Sequence, residues 1–199
     1  MAELEVYGCH GGTVYACPVT ANTTAPGGES AIIVPVAVPV SIARLRERMD
    51  PSAAVGVPAH VTLLYPFMPV EALDDEVRKS IGRIIAAEPS FTVTFREVSR
   101  FPNVVYLPPD PAEPFRRLTT ALATKFPDYP PYEGAYETVI PHMTVAQDVS
   151  DDYYAAAEHA LPAALPVRHI VREAWLIGHM PDQPWHTLWR LPLGEAPRG

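Results

Sequence analysis

Cysteine, lysine and long apolar segments are all scarce in this chain of 199 residues. Two cysteines, Cys9 and Cys17, are too few for a disulfide framework or a four-ligand zinc site, so a reducing cytoplasm is the expected compartment. The longest apolar run, residues 31–40, is about half a membrane span and contains prolines. The first residues are acidic where a secretion signal is basic. We therefore expect a cytoplasmic protein that does not associate with membranes.

Positive charge is also in deficit, since 15 lysines and arginines face 23 aspartates and glutamates, which gives a formal net charge of −8. A protein that grips long nucleic acid needs a basic face to neutralise many phosphates. Long nucleic acid is therefore not an expected partner, whereas a small nucleotide or an RNA end in a local cleft is. Of the basic residues 13 are arginine, whose planar fork suits a phosphate.

Proline is the residue that the chain has in excess, with 24 copies. Because proline interrupts helices and central strands, we expect many short elements separated by turns, and long coiled coils are excluded. Residues 1–29 show no sustained hydrophobic period and are predicted to form a loose N-terminal extension, in which only 13–17 has strand character. Residues 30–199 are predicted to form a single domain, and a monomer is expected.

From residue 30 onward the hydrophobic periodicity predicts alternating helices and strands. The helices are expected at 42–49, at 73–84, at 115–122 and after Ser150. The strands are expected at 31–38, 60–67, 91–98, 104–107, 142–145, 167–177 and 185–193, with a loop at 127–141. The link between 91–98 and 104–107 is too short for a parallel crossover. This order predicts an α+β fold built on antiparallel sheets.

Two of the seven histidines share a local pattern. His60 and His142 are each followed by an apolar residue, a threonine and a second apolar residue, and each has a proline just upstream. On a strand, residues two apart project from the same face, so His60 lies beside Thr62 and His142 beside Thr144. If the two strands are neighbours, two imidazoles and two hydroxyls line one cleft.

These side chains are suited to phosphodiester chemistry. Imidazole titrates near neutral pH, so one histidine can accept a proton from an attacking oxygen while the other donates a proton to the leaving oxygen. Threonine hydroxyls can donate hydrogen bonds to the non-bridging phosphate oxygens. A single His-x-Thr on a strand is usually without function, and the repetition of the pattern is what favours a two-histidine site.

The segments 58–67 (PAHVTLLYPF) and 140–146 (IPHMTVA) resemble the twin signatures of the 2H phosphoesterase superfamily, also called the 2′-5′ RNA ligase-like family. The resemblance implies a bilobal, pseudo-symmetric α+β fold with antiparallel sheets lining a central cleft and helices outside. It implies a phosphodiesterase that needs no metal or cofactor and acts on 2′,3′-cyclic or 2′-5′ phosphodiesters in RNA processing, with reverse ligation in some members. His60 and His142 would be the acid-base pair, and Thr62 and Thr144 would bind phosphate.

Other residues are candidates for substrate binding. Arg100 at the end of a strand could meet a phosphate, and Phe101 beside it could stack on a base. Tyr65 and Tyr136, near the two motifs, could line the cleft, and Trp185 could also stack on a base. For each of these side chains, a solvated surface position or ordinary packing in the core is an equally good interpretation.

Two other classes of function stay open at this point. One is a non-catalytic RNA- or nucleotide-binding module that keeps the cleft, although the acidic net charge disfavours a general RNA binder. The other is a metal-dependent hydrolase, which the threonines in ligand positions disfavour. Cys9, His10 and Cys17 are not interpreted as a zinc site, because no fourth ligand follows at a standard spacing. The acidic residues at 148–152 are not interpreted as a metal site either, because acidic residues are expected at a helix start.

Overall fold

The computed structural model describes residues 27–148 and 151–195. Most of the predicted extension, including the candidate strand at 13–17, lies outside the described residues, as does the predicted helix start at Ser150. The boundary between extension and domain therefore stays a prediction.

Five α-helices lie in the described part of the chain: α1 (Val40–Met49), α2 (Pro51–Ala54), α3 (Asp75–Ala87), α4 (Glu113–Lys125) and α5 (Asp151–Ala160). The sequence explains the start of α3, because the Asp74 carboxylate accepts a 2.8 Å hydrogen bond from the Val77 amide and acidic residues fill the first turn. Helix α1 ends just before Pro51, as predicted. A short helix that we did not predict then begins at this proline, which suits a first helical position.

Ten strands lie in the described residues: β1 (Glu29–Pro35), β2 (His60–Leu64), β3 (Phe91–Phe95), β4 (Ser99–Phe101), β5 (Val104–Leu107), β6 (Pro109–Asp110), β7 (Met143–Gln147), β8 (Val167–Val171), β9 (Glu173–His179) and β10 (His186–Pro192). Sheet A has the strand order β10-β9-β1-β2, sheet B the order β6-β3-β8, and sheet C the order β4-β5-β7. All these strand pairings are antiparallel. The predicted α+β fold with antiparallel sheets is confirmed.

The structure shortens the predicted strands 60–67 and 91–98 to 60–64 and 91–95, and it divides a third predicted strand in two. We expected a single strand over 167–177, but the chain forms β8 in sheet B and β9 in sheet A, separated by Arg172. The physical reason is a change of phase: Val167 and Val171 are buried before the break, and Ala174 and Leu176 are buried after it. The buried residues are odd-numbered before the break and even-numbered after it, so one continuous strand could not place all four side chains on the same face.

The three sheets share one group of buried apolar side chains. It contains Ile32 and Val61 from sheet A, Phe95 from sheet B, and Val105 and Val145 from sheet C, none of which is exposed to solvent. Helices α1, α3, α4 and α5 cover the sheets and add their buried faces to the same group. Strands β2 and β7 therefore rest on a common support, although they belong to different sheets.

This core leads to a stability prediction in which one substitution is made in two environments. Ile81→Ala, at a fully buried position of α3, is expected to lower the free energy of unfolding by roughly 2–5 kcal/mol through lost burial and a residual cavity. Ile170→Ala, at a side chain 46% exposed in β8, should cost less than about 1 kcal/mol. Denaturant unfolding of both variants measures the difference, and equal losses would contradict the assignment of the core.

Candidate active site

The apolar residues of β2 and β7 determine which way the polar residues of the motifs face. Val61 is fully buried in β2, while His60 and Thr62 on either side of it are half-buried. In the second motif Val145 is fully buried and Thr144 is half-buried. His142 lies one residue before β7, whereas we had expected it to open the strand. Burial of the apolar side chains therefore directs the motif threonines away from the core.

Both motif strands carry a β-bulge at the same place. Consecutive residues of β1 pair with Thr62 and Leu64 of β2, so Leu63 between them is an extra residue without a partner in β1. In the same way, consecutive residues of β5 pair with Thr144 and Ala146 of β7, so Val145 is the extra residue. A bulge increases the local twist and changes the direction of nearby side chains. The two motifs therefore match in backbone conformation as well as in sequence.

The two motif strands lie at facing edges of different sheets. Strand β2 is the outer strand of sheet A, β7 is the outer strand of sheet C, and the two strands pack against each other. The sheet pairings place no hydrogen-bonded ladder between them. Their separation is therefore set by side chains and by the core beneath them.

Each histidine is fixed by a backbone carbonyl two residues upstream. His60 Nδ1 lies 2.8 Å from the carbonyl oxygen of Pro58, and His142 Nδ1 lies 2.7 Å from that of Ile140. A carbonyl oxygen only accepts hydrogen bonds, so Nδ1 carries the proton in both rings. In the neutral form of each ring, Nε2 is then the atom that can accept a proton. The hydroxyl of Thr62 donates to His60 Nε2 over 3.2 Å.

The surroundings disfavour the charged form of both imidazoles. Burial and then the positive charge of Arg46 lower the pKa of His60 to about 4, against the hydrogen bond to Pro58 and the charge of Asp50, which raise it. The charge of His142 also lowers the pKa of His60. Burial lowers the pKa of His142, although its hydrogen bond to the Ile140 carbonyl raises it.

Two aromatic side chains contact the ring of His142. The Phe101 ring meets the His142 ring edge-on at 5.2 Å between centroids, and Tyr106 does so at 5.4 Å. Phe101 and Tyr106 are stacked on each other at 4.1 Å. Phe101 is only 7% exposed, so it supports the His142 ring, and little of its face is open to a base.

The other predicted binding residues have different surroundings. Arg100 projects from the opposite side of β4 to Phe101, with its guanidinium 4.8 Å from the Tyr154 ring and 3.9 Å from the Glu158 carboxylate. Tyr65 is buried, and its hydroxyl donates a 3.0 Å hydrogen bond to Glu29.

Trp185 is buried, with its ring edge-on to that of Tyr65 at 6.2 Å between centroids. Tyr136 lines a groove between α4 and residues 130–139, where its ring meets the edge of Tyr132 at 5.6 Å. The structure thus brings together the two motifs and Phe101, and the substrate contacts of Arg100, Tyr65 and Tyr136 stay predictions.

Sequence reasoning missed a buried ion pair beneath the motifs. Arg46 of α1 is 4% exposed and donates to the Asp50 carboxylate at 2.7 and 3.1 Å. Its Nη2 also lies 3.2 Å from the Ser52 hydroxyl, its Nε lies 3.2 Å from the Thr144 carbonyl oxygen, and its Nη1 lies 3.4 Å from the Val57 carbonyl oxygen. One guanidinium therefore contacts the chain next to both motifs.

A signal for this pair was present in the sequence. Ile42, Leu45 and Met49 form the buried face of α1, and Arg46 occupies a position on that same face. An arginine within an apolar stripe, followed four residues later by Asp50, is the pattern of a buried ion pair as well as of an ordinary surface pair.

Metal-binding and membrane-spanning features are both absent from residues 27–148 and 151–195. These residues contain no group of three or more histidine, cysteine, aspartate or glutamate side chains arranged to hold a metal ion. In the same part of the chain, every helix is too short or too polar to cross a membrane.

Comparison with known proteins gives a consistent family. The family model described as the 2′-5′ RNA ligase superfamily matches residues 34–182. A protein of Geobacillus kaustophilus named "Putative phosphoesterase" is 31% identical over 114 residues, which is 55% of this chain and 62% of that protein. A protein of the same name from Bacillus pumilus is 32% identical over 114 residues, which is 55% of this chain and 63% of that protein. The match therefore spans less than two thirds of either relative.

A solved structure shares the fold. TT0787 of Thermus thermophilus aligns with a TM-score of 0.54 and 22% sequence identity, over 84% of this chain and 100% of that chain. E. coli LigT complexed with 3′-AMP aligns less closely, with a TM-score of 0.49 and 18% identity over 84% of this chain and 99% of that chain.

The geometry of the histidines predicts their behaviour in NMR spectra. Nitrogen shifts of both rings at neutral pH should report a proton on Nδ1, because a carbonyl oxygen accepts from that atom. The His60 ring should titrate with a midpoint near pH 4, whereas the unfolded chain should give about 6.5. His60→Gln and His142→Gln variants assign the signals. A proton on Nε2 in either neutral ring would contradict the structural description.

Proposed function

Because the chain belongs to the 2′-5′ RNA ligase superfamily, we propose that it is a metal-independent phosphoesterase in which His60 and His142 act as general base and general acid. The proposed substrate is a 2′,3′-cyclic phosphate or 2′-5′ phosphodiester of a small nucleotide or an RNA end. One observation carries the proposal: both motif histidines donate Nδ1–H to a carbonyl two residues upstream, which leaves both Nε2 atoms for proton transfer.

Hydrolysis of a cyclic phosphate by this pair needs two proton transfers. Neutral Nε2 of one histidine accepts a proton from water as the water oxygen forms a bond to phosphorus. The bond from phosphorus to one ribose oxygen breaks, and protonated Nε2 of the other histidine donates its proton to that oxygen. The hydroxyls of Thr62 and Thr144 donate to the non-bridging oxygens, where charge redistributes in the transition state.

Charge around the site favours a division of labour between the histidines. Arg46 acts against a positive charge on His60, so His60 suits the base, which must be neutral before the reaction. For His142, burial is the only cause that lowers the pKa, and the negative charge of a bound phosphate favours the imidazolium. We therefore assign His60 as the base and His142 as the acid in hydrolysis. The roles exchange when the same reaction runs backwards as ligation.

Site-directed variants test the proposed roles with purified 2′,3′-cyclic mononucleotides and 2′-5′ dinucleotides as substrates. His60→Ala and His142→Ala should each lower kcat/KM by roughly 10²- to 10⁴-fold, the usual contribution of a general acid or base. The double variant should lose much less than the product of the two losses, because the residues act as a unit. The wild-type profile of kcat/KM against pH should be bell-shaped.

Two sets of variants complete this test. Thr62→Val and Thr144→Val should cost less than the histidine variants, because each removes one hydrogen bond and leaves proton transfer in place. His159→Ala, at an exposed position of α5, is the matched control and should keep wild-type turnover. Near-normal turnover by folded His142→Ala would overturn the mechanism, and tight binding without product would favour a non-catalytic module.

Chelation distinguishes this mechanism from a metal-dependent hydrolase. Turnover should survive prolonged dialysis against EDTA, because the proposed base, acid and phosphate donors are all side chains of the protein. The measurement is kcat/KM before and after dialysis, with metal content checked by elemental analysis. Loss of turnover that one divalent cation restores would instead support a metal-dependent reaction.

A further inference from the structure

We propose that Arg46 is a positioning residue, which holds the two histidine motifs at a fixed separation through the hydrogen bonds of one buried guanidinium. This inference rests on the proposed function, because the separation of the motifs matters for catalysis only if both histidines take part in the reaction. The starting observation is structural, however, because β2 and β7 are outer strands of separate sheets and share no ladder in the described pairings.

The contacts of Arg46 reach both motifs. Its single Nε–H is shared between two acceptors, the Asp50 carboxylate at 3.1 Å and the carbonyl oxygen of Thr144, the second motif threonine, at 3.2 Å. Its Nη1 donates to the carbonyl oxygen of Val57, three residues before His60, at 3.4 Å. The bonds to Thr144 and Val57 go to backbone atoms, so Arg46 acts on where the two segments lie and leaves their side chains available. Helix α1, which carries Arg46, packs directly against β7.

The guanidinium is itself held in place from the other side. The Asp50 carboxylate accepts from Nε and Nη2, and its second oxygen accepts from the amide and hydroxyl of Ser52 at 3.0 and 2.7 Å. Asp50 thereby also caps α2. With the Arg46 and Asp50 side chains 5% and 2% exposed, the pair has little water around it and a defined geometry.

Only arginine can make this set of bonds. The planar fork presents donors in several fixed directions, whereas lysine has one compact ammonium on a flexible stem. Lysine at position 46 could keep a charge near Asp50 but could not reach Asp50, Thr144 and Val57 together. Arg46→Lys therefore separates the loss of bridging geometry from the loss of charge.

The same pair gives His60 an electrostatic environment of opposing signs. Among the described residues, the charged or titratable groups that act on the His60 ring are Arg46 on α1, Asp50 at the end of α1 and His142 before β7. Arg46 and His142 lower its pKa, and Asp50 raises it. Removal of Arg46 should therefore raise the titration midpoint of His60, and removal of the Asp50 charge should lower it.

The experiment combines NMR titration of His60 with steady-state kinetics on the full chain. Arg46→Lys should lower kcat by roughly 10- to 100-fold through misplacement of the motifs, with KM less affected. Arg46→Met should lower kcat as well and shift the His60 midpoint to higher pH. Asp50→Asn should keep His60 neutral down to the lowest pH at which the protein stays folded. Arg48→Met, at an exposed position of the same helix, is the control and should match the wild type.

The outcomes separate the two proposals. Titration of His60 needs no turnover, so it tests the action of Arg46 on His60 even if the proposed substrates are not cleaved. If the Arg46→Met variant does not fold, the double variant with Arg46→Met and Asp50→Asn, which removes both charges of the pair, is measured in its place. Wild-type kcat in folded Arg46→Lys would overturn the positioning role. Midpoints that shift in the same direction in Arg46→Met and Asp50→Asn would show general loosening of the site and would also overturn it.

Discussion

Burial of alternate residues in β2 and β7 is the constraint on which the candidate site depends. Val61 and Val145 pack in the core that all three sheets share, and the neighbouring motif residues must then face the other way. A shift of one residue in either strand would put a histidine or threonine into the core and a valine at the site. The register that stabilises the fold is therefore the register that assembles the site.

Features that depend on local sequence could be predicted from it. The hydrophobic spacing that predicts a helix over 73–84 lies within one segment, and the structure has α3 there, beginning two residues later than predicted. The fold class followed in the same way from short links between strands. The likeness of the His60 and His142 segments was also visible in the sequence, and the family that it indicates is the one whose model matches residues 34–182.

Features that depend on distant contacts could not be predicted. The break between β8 and β9 requires knowledge that the two strands enter different sheets. The contact between Arg46 and the Thr144 carbonyl joins residues 98 positions apart. The stacking of Phe101 on Tyr106 likewise depends on the pairing of β4 with β5, and it places the Phe101 ring edge-on to His142, a contact that local sequence does not reveal.

The bond from the Thr62 hydroxyl to His60 Nε2 has a consequence for the order of events at the site. A hydroxyl has one hydrogen, so Thr62 cannot make a well-aligned hydrogen bond to the imidazole and another to a phosphate oxygen at the same time. While it donates to Nε2, it occupies the lone pair that the proposed base needs. A bound phosphate oxygen that accepts this hydrogen bond instead would leave the Nε2 lone pair of His60 available to accept a proton. In the proposed reaction, the hydrogen of the Thr62 hydroxyl must therefore move from Nε2 to a phosphate oxygen before His60 can accept a proton.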